Sequence, residues 1–519
     1  MKKIAIVIAI LILALCGCKS QEAKEVELEN SDGTKIILKT WMNGNDEECI
    51  FLPSYCKLSD VSLPDKEYKI FQSENVATLF VNTESGSMDA IHEDKNYRES
   101  AEISLYTKEG LLNYSTTACS LKGRGNTTWD LFEKKPYQIK LEESADLLGM
   151  GKGKKWILLA NSFDETNLRN KFIYDLAREN NFCYAPECEF VDLYLNGEYR
   201  GLYLLTERVE FGEGRLNVEA DEKYMCNVEL AARWESLDNA FLTDAGRAVE
   251  IREPDKPLEE DFERIVELTQ EMENAILDSD EGQTIREVID LDSWVYMYLF
   301  DEIMENGDAD IASSYFYYAD GKFYAGPLWD YDNTLGVSTR NQNPRTFLAK
   351  SGYKYVNHGT PYYDALNEKE EFYERMVELY QTQMVPALQK EMKTGLFEEE
   401  AFIAKASKMN RIRWAETFEQ QNAEITDVQG IVDYLERRME FLNMAWLEGE
   451  EYYTVQFEPY VIDMFATSET YAGSYAVKPG ECLAGTIEEN AVWIDCETGE
   501  RFNPSQPIVR NMTLRLEQQ

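Results

Sequence analysis

Histidine is nearly missing from this sequence: only His92 and His358 occur in 519 residues. Ser–His–Asp hydrolysis, multi-histidine metal sites and histidine phosphotransfer all need more of it. The chemistry must therefore rest on carboxylates, amides, Lys and Arg. Positive charge is scarce too, with 52 Lys and Arg against 96 Asp and Glu and a net charge of -44. That balance argues against a nucleic-acid partner, because phosphate-backbone binding needs clustered cations. The ten cysteines show no zinc-like spacing. Cys49/Cys56, Cys183/Cys188 and Cys482/Cys496 lie close enough in sequence to pair, and the connectivity stays open. A Walker loop is absent as well. "GMGKGKKW" is glycine-rich and basic but leads into the strand-like "WILLAN", not into a helix.

Long apolar runs are limited to Ile4–Leu15. Behind Lys2-Lys3 this run reads as an export signal, too short for the roughly 20 apolar residues of a membrane span. It ends in "LCGC", which resembles a bacterial lipobox and makes Cys18 the expected lipidation site. The expectation is an exported chain, tethered by acyl chains to the extracellular face of the bacterial membrane.

What is present divides into two patterns. Residues 19–75 read as a linker and an N-terminal β segment. Up to about residue 210, short β-type runs dominate, interrupted by "NLRNKFIYDLARENN" with helical spacing. "LYLNGEYRGLYLL" carries Asn-Gly between apolar runs, a hairpin signal. Beyond residue 255 the period becomes helical, in "LEEDFERIVELTQEMENAIL", "LDSWVYMYLFDEIMEN", "EEFYERMVELYQTQMVPALQ" and "IVDYLERRMEFLNMAWLEG". "SSYFYYADGKFYAGPLWD" reads as a hairpin turning at Asp320-Gly321. Residues 448–519 return to β-like runs. The fold class is α+β, with a β-rich part before a helix-rich part and flanking β segments.

"WDYDNTLG" raises the functional question, because Asp330 and Asp332 stand together behind a tryptophan. As D-x-D-x-T it matches the nucleophile motif of haloacid-dehalogenase-like phosphatases, which should end a buried parallel strand. As a polar turn it would be purely structural. A third reading joins it to "ENGDADIASS", where Asn306 and Asp308 follow a helix, to give an oxygen-only donor set. Such donors suit magnesium or manganese, which bind with a few carboxylates plus substrate phosphates. Residues 122–171 are locally basic, and "LKGRGNTTW" sets small residues around Arg124, where backbone amides can approach an anion.

In order along the chain, "KGRGNTTWDLFEKKPYQIKL", "LLGMGKGKKWILLANSFDETNLRN", "YAPECEFVDLYLNGEYRGLYLLTERVE", "NGD" and "WDYDNTLG" resemble the CotH-type spore-coat protein kinases, over roughly residues 76–447. The resemblance implies a divergent two-lobed kinase-like fold, ATP with Mg²⁺ or Mn²⁺, and phosphorylation of Ser or Thr on a surface or coat protein. It makes Asp308 the catalytic-loop residue, which either orients the attacking hydroxyl or joins the metal shell. Asp330 becomes the metal-binding aspartate, with Asp332 and Asn333 completing the shell. Arg124 and Lys140 are candidates for the phosphates, with Glu207 as a partner that orients Lys140. Asn161, Asp164, Arg169 and Asn170 either serve the nucleotide or pin the loop by hydrogen bonds. The competing expectation from another class is a non-catalytic adhesion or coat-assembly protein on a kinase-like scaffold.

Overall fold

The computed structural model describes residues 23–29, 35–56, 68–278, 285–338, 341, 343–350, 362–419, 423, 425–448, 452–457, 474–485, 487 and 491–517. The export signal, Cys18 and His358 lie outside the described residues. Among those described, no helix is long and apolar enough to cross a membrane.

The β-rich part closes on itself. Strands β6 (Ala77–Thr83), β7 (Glu99–Tyr106), β8 (Leu112–Gly123), β9 (Tyr137–Asp146), β10 (Lys152–Leu159), β11 (Cys188–Leu195) and β12 (Glu198–Glu207) form a seven-stranded barrel in the order β10-β12-β11-β6-β7-β8-β9. The period-2 pattern decides what each face does. Leu121, Ile139, Leu141, Trp156, Leu158, Val191, Leu193, Tyr203 and Leu205 fill the interior. Their neighbours Ile157, Leu159, Phe190, Leu202 and Leu204 point outward into a second core. Each such fully buried aliphatic side chain stabilises the fold by roughly 1.5–3 kcal/mol. The expected hairpin joins β11 to β12, with Asn196 at φ 50° and Gly197 at φ 79°, both left-handed as a type I′ turn demands. The parallel pairing of β6 with β11 shuts the barrel, and closure itself was not anticipated from the sequence.

The second core joins the outer barrel wall to the helix-rich part. Helix α1 (Arg169–Glu179), the expected one, buries Phe172, Ile173, Tyr174 and Leu176 there. Opposite it stands a five-stranded sheet in which β13 (Lys223–Glu229) lies between β15 (Ala248–Glu253) and β16 (Ser314–Ala319). Strand β14 (Ala240–Leu242) and β17 (Lys322–Ala325) form its edges. Helix α2 (Glu259–Leu277) precedes α3 (Leu291–Ile303), which starts where the Asp290 carboxylate caps the Ser293 N–H at 3.0 Å. Almost every α3 side chain is buried, Asp301 and Glu302 included. The β16–β17 hairpin turns at Asp320 and Gly321 as expected, both at positive φ.

One expected helix is interrupted. The pattern over 370–389 resolves into α4 (Glu370–Leu379), a π turn (Tyr380–Met384) and α5 (Val385–Lys390). Pro386 has no N–H for the ladder, and the wider turn just before it absorbs the lost bond. After a second π turn, α6 (Leu396–Arg413) crosses the barrel at Gly201, and α7 (Val428–Trp446) completes the core. A Cβ on Gly201 would lie 2.4 Å from Asn410 Oδ1, so the approach requires glycine. The N-terminal strands β4 (Glu48–Leu52) and β5 (Lys69–Gln72) pack against Tyr194 and Tyr199 of the barrel. Strands Tyr453–Phe457, Ser474–Val477, Trp493–Asp495 and Met512–Leu516 form a four-stranded sheet with its own core around Phe457, Trp493 and Leu514. All eight described cysteines are free thiols, so none of the pairs close in sequence is bonded.

Candidate active site

Helix α3 ends at Ile303, and the chain turns at once into Asn306–Asp308. This turn is fastened at both ends. Upstream, the buried Asp301 carboxylate accepts from Asn306 Nδ2 at 2.8 Å, and Asn306 Oδ1 accepts from the Asp308 N–H at 3.1 Å. Downstream, Asp310 accepts from Arg247 Nη1 at 2.6 Å and from the Tyr362 N–H at 2.9 Å. Arg247 lies 3.5 Å over the Tyr362 ring. The half-buried Asp308 thus sits between two buried anchors.

The Trp329–Asn333 segment is irregular backbone after β17, and Asp330 adopts φ 67°, a conformation that L residues rarely hold without outside support. The support comes from α1. The Asp330 N–H donates to Tyr174 OH at 3.0 Å, and the Tyr331 N–H donates to Asn170 Oδ1 at 2.7 Å. Asn170 Nδ2 donates in turn to Asn161 Oδ1 at 3.0 Å, which links the loop after β10 to the acidic loop. Tyr331 OH donates to Asp301 Oδ1 at 2.6 Å. One carboxylate therefore holds both the Asn306 turn and the Asp330 loop. Because Asp330 ends no parallel strand, the phosphatase alternative fails.

The acidic groups also act on one another electrostatically. Burial, first, and the nearby Asp308 raise the Asp330 pKa, while Arg124 and the Ser313 hydroxyl oppose the rise. Burial raises Asp332 well above the usual carboxylate range, with Asp330, Asp164 and Asp308 adding to it and Arg124 opposing. Arg124 comes from the turn after β8 and stacks 5.2 Å from the Trp329 ring. Asp332 thus lies within electrostatic reach of Asp330, Asp164, Asp308 and Arg124, and Asp330 within reach of Asp308 and Arg124.

The family profile described as CotH kinase protein matches residues 121–442, well over half of the chain. The chain belongs to this family. No curated protein matches it significantly. The CotH region begins inside β8, so β6 and β7, needed to close the barrel, lie before it. Membership in a kinase family brings with it the general use of ATP and a divalent metal.

The residues fit such a metal in chemistry. All donors are oxygens, the carboxylates raise one another's pKa, and Asn333 Oδ1 is buried with no hydrogen-bond partner among the described residues. Among the described residues, no three His, Cys, Asp or Glu side chains already stand close enough to hold an ion by themselves. Phosphate oxygens and water are the usual remainder of a magnesium shell.

Other residues singled out in the sequence take different positions. Lys140 is exposed on the outer wall of β9, and Glu207 is not its partner. Buried Glu207 instead accepts from Arg215 Nη1 at 3.2 Å and Tyr184 OH at 2.6 Å, and burial pushes its pKa up to about 7. Arg169 is fully buried and committed to the fold. It pairs with Asp164 and donates to the carbonyls of Thr334 at 3.0 Å, Leu335 at 3.1 Å and Ile425 at 3.2 Å. Asn161, at φ 47°, spends its side chain on Asn167 and Asn170. Sequence reasoning missed Asp301 and Tyr174. The available signal for Asp301 was an acid in the apolar run "YMYLFDEI".

Proposed function

We propose that the protein is an ATP-dependent protein kinase that transfers the γ-phosphate to Ser or Thr of protein substrates. The carrying observation is that Asp308, Asp330, Asp332 and Arg124 meet where the barrel and the helix-rich part join. On this reading the barrel and the helices act as the two lobes of a kinase-like fold, with the nucleotide between them. Asp308 orients the acceptor hydroxyl and takes up its proton as the new O–P bond forms and the bond to the ADP oxygen breaks. Asp330, Asp332 and Asn333 hold Mg²⁺ or Mn²⁺, which when bound supplies charge neutralisation at the phosphates. Arg124 adds its guanidinium, fixed in direction by Trp329. Export and acylation of Cys18 would carry this activity to the membrane's outer face, where labelled fatty acid incorporated into the chain should vanish in Cys18→Ala.

The test of transfer uses residues 19–519 with γ-labelled ATP and either metal, beside Asp308→Asn and Asp330→Asn. Label on protein that falls at least about 100-fold in both variants is expected, since each removes a group of the reacting shell. No label, and no metal-dependent ATP binding, would overturn the proposal and leave the non-catalytic scaffold.

A further inference from the structure

With 96 carboxylates against 52 Lys and Arg, many cations on this protein pair with an acid. Nearby examples do. Lys155 reaches Asp255 at 3.1 Å, Arg208 reaches Glu210 at 3.0 Å, and Arg252 reaches Glu250 at 2.9 Å. Arg98, Lys122 and Lys140 form no salt bridge among the described residues, and they are neighbours. Because Leu121, Ile139 and Leu141 fill the barrel, Ser120, Lys122, Gln138 and Lys140 face outward. Ser120 stands opposite Lys140, Lys122 stands opposite Gln138, and Arg98 Nη1 donates to Ser120 Oγ at 3.2 Å. Burial, and the proximity of Arg98, Arg124, Arg208 and Arg252, lower the Lys122 pKa. The strip runs along β8 to Arg124 and so ends at the acidic site. From Arg124 back to Ser120 is roughly 13 Å of strand, about four residues of an extended peptide.

We propose that this strip on β8 and β9 docks an acidic segment of the acceptor polypeptide, holding Asp or Glu about four positions from the Ser or Thr that is phosphorylated. The inference rests on the kinase reading above and names its substrate class. Specificity follows from contrast. A polyanion is repelled by a surface charged overall to -44, and a cluster of unbridged cations beside the acidic site offsets that repulsion locally.

The experiment uses residues 19–519 and three fluorescein-labelled Ser peptides, flanked at four positions by Glu, Gln or Lys. Anisotropy without nucleotide gives binding, and γ-labelled ATP gives the acceptor KM. The Glu peptide should bind about tenfold more tightly than the Gln peptide, as a few half-exposed ion pairs provide, and salt should erode the difference. Lys122→Gln with Lys140→Gln should abolish the preference and leave the KM for ATP unchanged. Equal binding of the three peptides would overturn the proposal. So would a raised KM for ATP with the acceptor preference intact, which would give the strip to the nucleotide. Binding to phosphatidylglycerol vesicles but not to the Glu peptide would overturn it in favour of a membrane surface. Glu-peptide binding without phosphate transfer would uphold the docking and remove the kinase reading.

Discussion

Replacing Arg169 with methionine keeps the length and apolar stem of the side chain but removes every bond that its guanidinium makes. Asp164 loses its buried cation, and the carbonyls of Thr334, Leu335 and Ile425 lose their donors. Asp164 keeps partial support, from the Arg169 N–H at 2.8 Å and the Thr166 hydroxyl at 2.6 Å. Breaking a buried pair from one side costs roughly 3–5 kcal/mol. At a urea dependence of about 2–3 kcal/mol per molar, the unfolding midpoint should fall by about 1–2 M. Arg169→Lys keeps the charge without the planar fork and should lose about half as much. Asp164→Asn in the methionine background should recover about 1–3 kcal/mol, the coupling expected of direct partners. The measurement is urea unfolding followed by tryptophan fluorescence, beside ATP binding by each variant. An unfolding free energy within about 0.5 kcal/mol of wild type, together with weakened ATP binding, would refute the clamp and return Arg169 to the nucleotide.

Other expected outcomes test separate parts of the fold. Burial pushes the Asp192 pKa up to about 7, above its unfolded value, so its stabilising contribution is present below about pH 4 and lost as pH rises through 7. Asp192→Asn should therefore gain urea stability relative to wild type between pH 5 and pH 8; an unchanged difference would refute this. Glu207→Ala strands buried Arg215 and should cost about 3–5 kcal/mol, whereas Lys140→Gln should change stability by less than about 0.5 kcal/mol. Gly201→Ala should lower the melting temperature measurably, because its Cβ would meet Asn410 and Trp414 at φ 112°.

Local chemistry was legible in the sequence where one short stretch decides the outcome. Asn196-Gly197 and Asp320-Gly321 turn as their residue types require. Asn306 and Asp308 follow a helix whose apolar run announces it. Closure of the barrel was not legible, because it depends on β6 pairing in parallel with β11, more than a hundred residues away, and periodicity carries no register between distant strands. Partner choice was also hidden. Lys140 and Glu207 both belong to barrel strands, but one faces solvent and the other faces Arg215. A single misjudged facing separates a proposed ion pair from two unrelated groups.

The tether from Asn161 through Asn170 to the Tyr331 N–H, with Tyr174 beside it, is made of amides and a phenol that stay neutral across ordinary pH. It behaves as an insulated linkage: it transmits position between the barrel and the acidic loop but passes on no charge. Protons and cations can come and go at Asp330 and Asp332 without altering the bonds that hold their backbone. The loop's other attachment is of a different kind: it runs through Tyr331 OH to Asp301, whose pKa burial pushes up to about 6, so any pH sensitivity of the frame enters there.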